Sequence, residues 1–123
     1  MEQAKLDKIL DNHKLWLRTN GEQGEQAHLE RANLERAHLK GANLEGANLD
    51  FSAFPLWCGG LDVHIDDRQA TQLLYHLVRN VLYSKNTSKA MKEICRIKSL
   101  VNQANKFHRV DECGKIEGAD NGI

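Results

Sequence analysis

Proline, cysteine and aromatic residues are scarce in this sequence, and no long apolar run is present. The 123 residues include one proline, three cysteines and 6% aromatic residues. The cysteines (Cys58, Cys95 and Cys113) are odd in number, widely spaced and outside any C-x-x-C pair, which argues against a disulfide scaffold. Because we find no signal-peptide pattern and no segment apolar enough to cross a bilayer, we expect a reduced, cytoplasmic protein without membrane contact.

Motifs of the common enzyme families are also lacking. The sequence contains no G-x-S-x-G, no Walker phosphate-binding loop and no H-E-x-x-H. Its carboxylates are expected on exposed corners, where the surroundings would not adapt them to general acid or base catalysis. We therefore predict a non-enzyme that uses no cofactor and no metal ion.

The net charge is zero and the pI is about 7.0. The whole molecule therefore has no bulk attraction to nucleic acid or to a membrane. Its segments are less neutral, because residues 1–21 carry +1, residues 22–51 carry −3, residues 52–110 carry +5 and residues 111–123 carry −3. The zero net charge is therefore the sum of segments that carry opposite net charges.

The strongest pattern is a five-residue repeat over residues 27–51. It runs A-H-L-E-R, A-N-L-E-R, A-H-L-K-G, A-N-L-E-G, A-N-L-D-F, with Ala first, Asn or His second and Leu third in every unit. A helical face repeats at about 3.6 residues and a strand face at 2, so neither explains a period of five. A solenoid that turns a corner every five residues does explain it, since Ala and Leu of each unit then point inward.

These five units resemble the pentapeptide-repeat family, whose members follow A-(D/N)-L-x-x. The resemblance implies a right-handed, four-sided β-helix. We therefore predict a mixed fold: a short right-handed quadrilateral β-helix, capped by an N-terminal helix and followed by two C-terminal helices. The open ends of such a coil need covering. Trp16 is predicted to plug one end, and Phe54, Leu56 and Trp57 the other.

Apolar spacing predicts three helices, over about residues 3–18, 67–83 and 88–107. The alternation of Leu61, Val63 and Ile65 with polar residues predicts a short strand before the second helix. The predicted order within one compact domain is a capping helix (1–20), the pentapeptide-repeat β-helix (21–57), a short strand plus two helices (58–110) and a polar, frayed tail (111–123).

The resemblance also implies four units per coil, so that residues twenty apart lie above one another. Arg31 should then lie against the ring of Phe51 as a cation–π pair. His28 and His38 should lie on opposite sides of the coil, where they cannot share a metal ion.

Two charged surfaces are candidates for protein binding. The acidic face of the repeats comprises Glu25, Glu30, Glu35, Glu45 and Asp50. The basic stripe around the third predicted helix comprises Lys85, Lys89, Lys92 and Arg96. The alternative for each is an ordinary solvated surface without a partner. The stripe has no interleaved aromatic residues, which argues against single-stranded nucleic acid as its ligand.

The order of helix, repeats and helices is similar to that of small pentapeptide-repeat proteins carried by bacteriophages and other mobile elements. The resemblance implies a phage-encoded protein that inhibits or modulates a bacterial host machine by occupying its surface. A nucleic-acid-handling complex or a CRISPR effector would be such a partner, making the protein an anti-CRISPR or other anti-defence factor.

Three other functions stay open. The helical pair could form a homodimer or larger scaffold, with Tyr75 and Tyr83 at the interface. An oligomer could act as a sponge that buries a nucleotide signal. DNA mimicry toward a topoisomerase, which longer family members use, fits less well because Arg31, Arg36 and Lys40 interrupt the acidic run.

Overall fold

The computed structural model describes residues 1–118, which fall into two compact units, Met1–Asp66 and a second unit that starts at Asp67. Each unit has its own apolar core. The predicted division into segments 1–20, 21–57, 58–110 and 111–123 stays a prediction. The helices are α1 (Gln3–Arg18), α2 (Asp67–Tyr83), α3 (Lys89–Cys95), α4 (Lys98–Ala104) and α5 (Val110–Cys113), and a 3-10 turn spans Cys58–Gly60.

Helix α1 confirms the first predicted helix and packs on the repeats within the first unit. Leu6 is buried, and Ile9 and Leu10 pack against the same core. The helix ends where Asn20 and Gly21 take left-handed backbone angles, with φ of 54° and 86°. Gly21 N–H then donates to the carbonyl of Trp16 at 2.8 Å. Asn and Gly accept this conformation readily, which explains why they act as a stop signal.

Each repeat closes with a tight turn from its Leu to the first residue of the next repeat. The Ala32 N–H donates to the Leu29 carbonyl at 3.0 Å, and the same bond recurs in the four turns that follow. In four of the five turns, the residue immediately before the N–H donor has left-handed backbone angles, as the third residue of a type II turn requires. The leucines consequently point inward, and their exposed fractions run from 0% to 6%. The left-handed residues are Arg31, Gly41, Gly46 and Phe51.

The Asn at the second position of a repeat fixes the turn that follows it. Asn33, Asn43 and Asn48 each accept, through the side-chain oxygen, the N–H of the residue two positions later, at 3.1, 2.9 and 2.9 Å. Asn side chains commonly form such turns with their own backbone. The sequence pattern had indicated only that this position faces water, so this structural role was missed.

The predicted right-handed quadrilateral β-helix is wrong. Residues 1–118 contain no strand and no sheet, and the repeats are linked by isolated parallel bridges and single backbone hydrogen bonds. A strand needs consecutive paired residues, but each five-residue unit uses part of its length for a turn and has at most one bridged position. The short strand predicted at Leu61, Val63 and Ile65 likewise reduces to one bridged residue. The bridges are His28↔Asn48, Asn33↔Ala53 and Asn43↔His64.

Two successive passes of the chain are joined by these bridges: the first pass (residues 27–46) and the second pass (residues 47–66). The first two bridges join residues twenty apart, and the third joins residues twenty-one apart. The predicted pairing of Arg31 with Phe51 is confirmed, since the guanidinium carbon lies 5.3 Å from the ring centre. Both residues are left-handed, which costs a residue other than Gly roughly 1–3 kcal/mol.

Side chains of α1 bind backbone groups of the first pass. His13 is fully buried and accepts the Ala27 N–H at Nδ1 (2.9 Å), which leaves its Nε2–H to donate to the Glu45 carbonyl at 2.8 Å. Gln3 donates to the His38 carbonyl and accepts the His38 N–H, at 3.0 and 2.9 Å. The His13 bonds satisfy backbone groups that α1 covers, and the Gln3 bonds hold the start of α1 against the repeats at an exposed position.

Trp16, predicted as the plug of the first end, lies beside this contact and not at its centre. Its ring stacks on the His13 imidazole with centroids 5.6 Å apart. The tryptophan is half-buried, whereas His13 is 0% exposed. The buried polar anchor is therefore the histidine, and the tryptophan shields it.

Helix α2 confirms the second predicted helix and forms the core of the second unit with α4. Tyr75, Val78 and Val81 of α2 are buried together with Val101 and Ala104 of α4. The spacing of three residues between successive α2 positions places them on one helical face.

The single helix predicted over about residues 88–107 is wrong. Helix α3 ends at Cys95, α4 starts at Lys98, and Ile97 between them is extended, with φ −56° and ψ 126°. Cys95 and Val101 would lie on different sides of one continuous helix. The break allows both to be buried, while Ile94 and Ile97, which the apolar pattern assigned to the buried face, are 51% and 49% exposed.

Part of the tail predicted to fray is ordered in the structure. Residues 110–113 form α5, and Ile116 is only 3% exposed. The Asn105 side chain donates to the Ile116 carbonyl and accepts its N–H, at 2.9 and 2.8 Å. The rest of the predicted tail, residues 119–123, lies outside the described residues.

Candidate interaction surfaces

The acidic positions of the repeats do not form one continuous face. Bridges pair residues that are about twenty apart, so Glu30 lies near the position of Asp50. Glu35 belongs to the next repeat, which is bridged to Ala53. Asp50 is buried, with 7% exposure, so its carboxylate is withdrawn from the surface on which we had placed it. The four members that are exposed are Glu25, Glu30, Glu35 and Glu45.

The two histidines of the repeats have separate surroundings. His28 Nδ1 lies 3.3 Å from the Glu30 carboxylate. His38 contacts Trp57 edge to face, with ring centroids 4.5 Å apart. Within residues 1–118 there is no group of three or more side chains placed to hold a metal ion.

The predicted basic stripe is divided by the internal role of one lysine. Lys92 Nζ donates to the Ser84 carbonyl at 2.5 Å and to the Thr87 hydroxyl at 2.6 Å. Thr87 in turn donates to the Val81 carbonyl at 2.6 Å. A cation that binds carbonyls at a helix C-terminus stabilises the helix end, so Lys92 closes the α2–α3 loop. Lys85 and Lys89 are exposed, and Arg96 is half-buried.

The two tyrosines proposed for an oligomer interface occupy different environments. Tyr75 is 2% exposed, stacks on Phe107 at 4.8 Å and donates its hydroxyl to the Gly114 carbonyl at 2.5 Å. Tyr75 therefore belongs to the core of the second unit and not to an interface, which is a correction. Tyr83 is 56% exposed, and the Arg79 guanidinium lies 5.0 Å from its ring centre.

Arg79 connects the two tyrosines. Its Nη1 donates to the Tyr75 hydroxyl at 2.7 Å and to the Cys113 carbonyl at 2.5 Å. The hydrogen bond to Tyr75 raises the pKa of Arg79 above its usual value, against a smaller lowering by desolvation. Arg79 therefore stays charged and ties α2 to the segment after α5.

Large apolar side chains are exposed on the second pass, which the sequence analysis did not predict. Phe54 is half-buried against the core, as a plug would be, but its neighbours Leu56 and Trp57 are 95% and 42% exposed. Exposed apolar patches on proteins commonly mark interaction sites. The only sequence signal is the run of large apolar residues beside Gly59 and Gly60. All large apolar residues exposed in the first unit, apart from Met1, lie on the second pass: Phe51, Leu56, Trp57, Leu61 and Ile65.

The regular succession of turns over the first pass defines a repeat protein. Residues 25–54 match the family model described as pentapeptide repeats, in eight copies, so this part of the chain consists of pentapeptide repeats. Such repeats indicate a protein-interaction or structural role. Comparison with curated proteins and with solved structures gave no match. No helix within residues 1–118 combines the length and apolar character needed to cross a bilayer.

Proposed function

We propose that this chain is a non-catalytic binding protein that acts by occupying a surface of another protein. One observation carries the proposal: the first unit buries its repeat leucines almost completely, yet exposes five large apolar side chains on the second pass. Exposed apolar patches on proteins commonly mark interaction sites, and Trp and Phe are enriched at protein interfaces. The exposed apolar side chains are therefore not part of the buried core of this unit and are available to contact a partner.

The partner we propose is a bacterial host machine in the cytoplasm, such as a CRISPR effector or another nucleic-acid-handling complex. The similarity of the helix–repeats–helices order to small phage proteins supports this choice. Binding by such a protein would inhibit or modulate the machine by blocking a surface that the machine needs, without any chemical step.

The test is affinity capture from a bacterial lysate with surface variants of the purified chain. Three variants separate the candidate surfaces: Glu25→Lys with Glu45→Lys for the repeats, Lys85→Glu with Lys89→Glu for the α2–α3 region, and Leu56→Asp for the second pass. All five positions are exposed, so folding should be preserved. We expect one variant to lose a partner that the other two retain, and the purified partner to bind the wild-type chain at least about tenfold more tightly than that variant.

Capture that is the same for all three variants and for an unrelated acidic protein would refute the proposal. An assay of the captured machine then tests modulation, since the wild-type chain should change its activity and the non-binding variant should not.

A second candidate function is self-association through α2. Leu73 and Leu77, four residues apart on this helix, are 38% and 55% exposed. Residues at this spacing lie on one helical face, as in a two-fold helix contact. Light scattering distinguishes the two functions. A dimer that becomes a monomer in the Leu73→Ser, Leu77→Ser double variant would support this candidate, and a monomeric wild-type chain at high concentration would remove it.

A further inference from the structure

The third repeat differs from the others in charge. At the fourth position, where the other four repeats have Glu or Asp, it has Lys40. Residues 36–41 (R-A-H-L-K-G) contain two cations and no carboxylate, and residues 55–61 (P-L-W-C-G-G-L) contain no charged residue at all. These two stretches are about twenty residues apart, as are the positions that the bridges of this unit join.

The structure brings these two stretches side by side. Leu39 N–H donates to the Gly59 carbonyl at 2.8 Å. The Trp57 indole N–H donates to the Ala37 carbonyl at 3.0 Å. One side of the first unit therefore combines cations with exposed apolar groups, and we call it the cationic–apolar face. It consists of Arg36, His38, Lys40, Leu56, Trp57 and Leu61.

Trp57 is held firmly on this face although it is 42% exposed. Besides the hydrogen bond of its indole N–H, its ring meets the edge of His38 at 81° with centroids 4.5 Å apart. A Cβ at Gly59 would lie 2.2 Å from the Trp57 ring, so only glycine allows the ring to lie there. A large aromatic group whose position is already fixed loses little entropy on binding, which is a property of interface anchors.

The charged and apolar groups around Trp57 are available. Leu56 and Leu61 are 95% and 59% exposed. Arg36 and Lys40 are exposed, and within residues 1–118 neither forms an ion pair. A ligand that contacts this face therefore meets Arg36 and Lys40 beside a rigid indole and two aliphatic side chains, while Asp7 and Asp11 of α1 line a cavity together with Lys40 and His38.

We propose that the cationic–apolar face binds an acidic, apolar segment of a partner protein, such as an amphipathic helix with carboxylates along its edge. The inference rests on the proposed function, because it names the surface and the partner chemistry for it. Charge complementarity decides the occupant: carboxylates would pair with Arg36 and Lys40, while apolar side chains cover Leu56, Trp57 and Leu61.

Nucleic acid fits this face less well. Phosphate binding gains affinity from many cations together, whereas this face has two permanent cations. The rest of the first unit opposes it, because residues 1–66 contain seven basic and eleven acidic side chains, a net charge of −4. Two aliphatic side chains beside the tryptophan also suit an apolar peptide better than a sugar–phosphate chain.

The experiment titrates the full chain with three probes and follows its indole N–H signals by NMR. The first probe is a helical peptide of about 16 residues with Leu every three or four residues and Glu between them. The second has Lys in place of each Glu, and the third is a single-stranded oligothymidine. We expect the acidic peptide to shift the Trp57 signal and leave that of Trp16 in place, and to bind at least about tenfold more tightly than the basic peptide.

Variants test the residues of the face. Arg36→Glu with Lys40→Glu should weaken binding of the acidic peptide at least about tenfold, and Leu56→Asp should do the same. The matched control is Lys5→Glu with Lys8→Glu, which changes the net charge equally at exposed positions of α1 and should leave the affinity within about twofold. Circular dichroism confirms that each variant is folded.

Several results would overturn the proposal. These are a Trp57 signal unmoved by the acidic peptide up to about 1 mM, equal binding of the acidic and basic peptides, a stronger response to the oligothymidine, or equal effects of the α1 control and the face variants. The lysate capture tests the proposed function separately from this face. If Leu56→Asp and the Arg36→Glu, Lys40→Glu variant still capture the lysate partner, binding stands and only this face is excluded.

Discussion

Replacing His13 by alanine would remove the buried side chain that joins α1 to the repeats. The Ala27 N–H and the Glu45 carbonyl would both lose the imidazole partner they have at 2.9 and 2.8 Å. A buried backbone group without a partner costs about 1–3 kcal/mol. Water can reach the Glu45 carbonyl at its exposed corner and offset part of that cost. The lost packing of a ring that is 0% exposed adds about 1–2 kcal/mol.

We therefore expect His13→Ala to lower the free energy of unfolding of the first unit by about 2–5 kcal/mol. Both tryptophans lie in the first unit, Trp16 stacked on His13, so tryptophan fluorescence during urea unfolding follows this unit. The midpoint should fall with little change in the slope of the transition. His13→Gln should recover part of the loss, because its amide can both donate and accept.

The control is His28→Ala, since the His28 side chain is 68% exposed. Its effect should stay within about 0.5 kcal/mol. A loss of less than about 1 kcal/mol in His13→Ala, or one no larger than in His28→Ala, would refute the idea that buried hydrogen bonds hold α1 to the repeats.

Three further substitutions test single contacts by urea unfolding. Lys92→Met should cost about 1–3 kcal/mol because the Ser84 carbonyl and Thr87 lose a charged donor, while Lys85→Met should cost almost nothing; equal effects would contradict the loop-closing role. Tyr75→Phe should lower the free energy of unfolding by about 1 kcal/mol, because the hydrogen bond to the Gly114 carbonyl is lost. Tyr83→Phe should leave stability unchanged. No loss in Tyr75→Phe would contradict a stabilising role for that hydrogen bond. Gly24→Ala should lower the free energy of unfolding more than Gly41→Ala does, by over about 1 kcal/mol. Both glycines are left-handed, but only at Gly24 would a Cβ meet the Asn12 carbonyl, at 2.3 Å. Equal losses in the two variants would rule out this clash.

The sequence was sufficient to predict the features that rest on local periodicity. Apolar spacing located α1 and α2, and the fixed positions of Leu in the repeats predicted burial of Leu29, Leu34 and Leu44. The Arg31–Phe51 pair was implied by the resemblance, which gives four units per coil and therefore twenty residues between stacked positions. Such features depend on few long-range contacts, so a repeat pattern is enough to predict them.

Features that depend on long-range partners could not be predicted. The apolar pattern from Ala90 to Ala104 is continuous, whereas the structure breaks at Ile97 and buries both Cys95 and Val101 in the core of the second unit. Lys92 and Tyr75 looked like surface residues, yet their hydrogen bonds reach the ends of other segments. The β-helix was inferred by resemblance, and five-residue units with one bridged position do not form the strands that it requires.

The Asx turns at Asn33, Asn43 and Asn48 have a consequence for how such a chain can change over time. Because an Asn amide holds the backbone of these corners, the side chain at the fourth position is not needed to form the turn, whereas the fifth position must, in four of the five repeats, still accept left-handed backbone angles. The charge at the exposed fourth positions Glu35 and Glu45 can therefore change while the turn persists, so that binding preference can evolve, or be engineered, with little effect on folding.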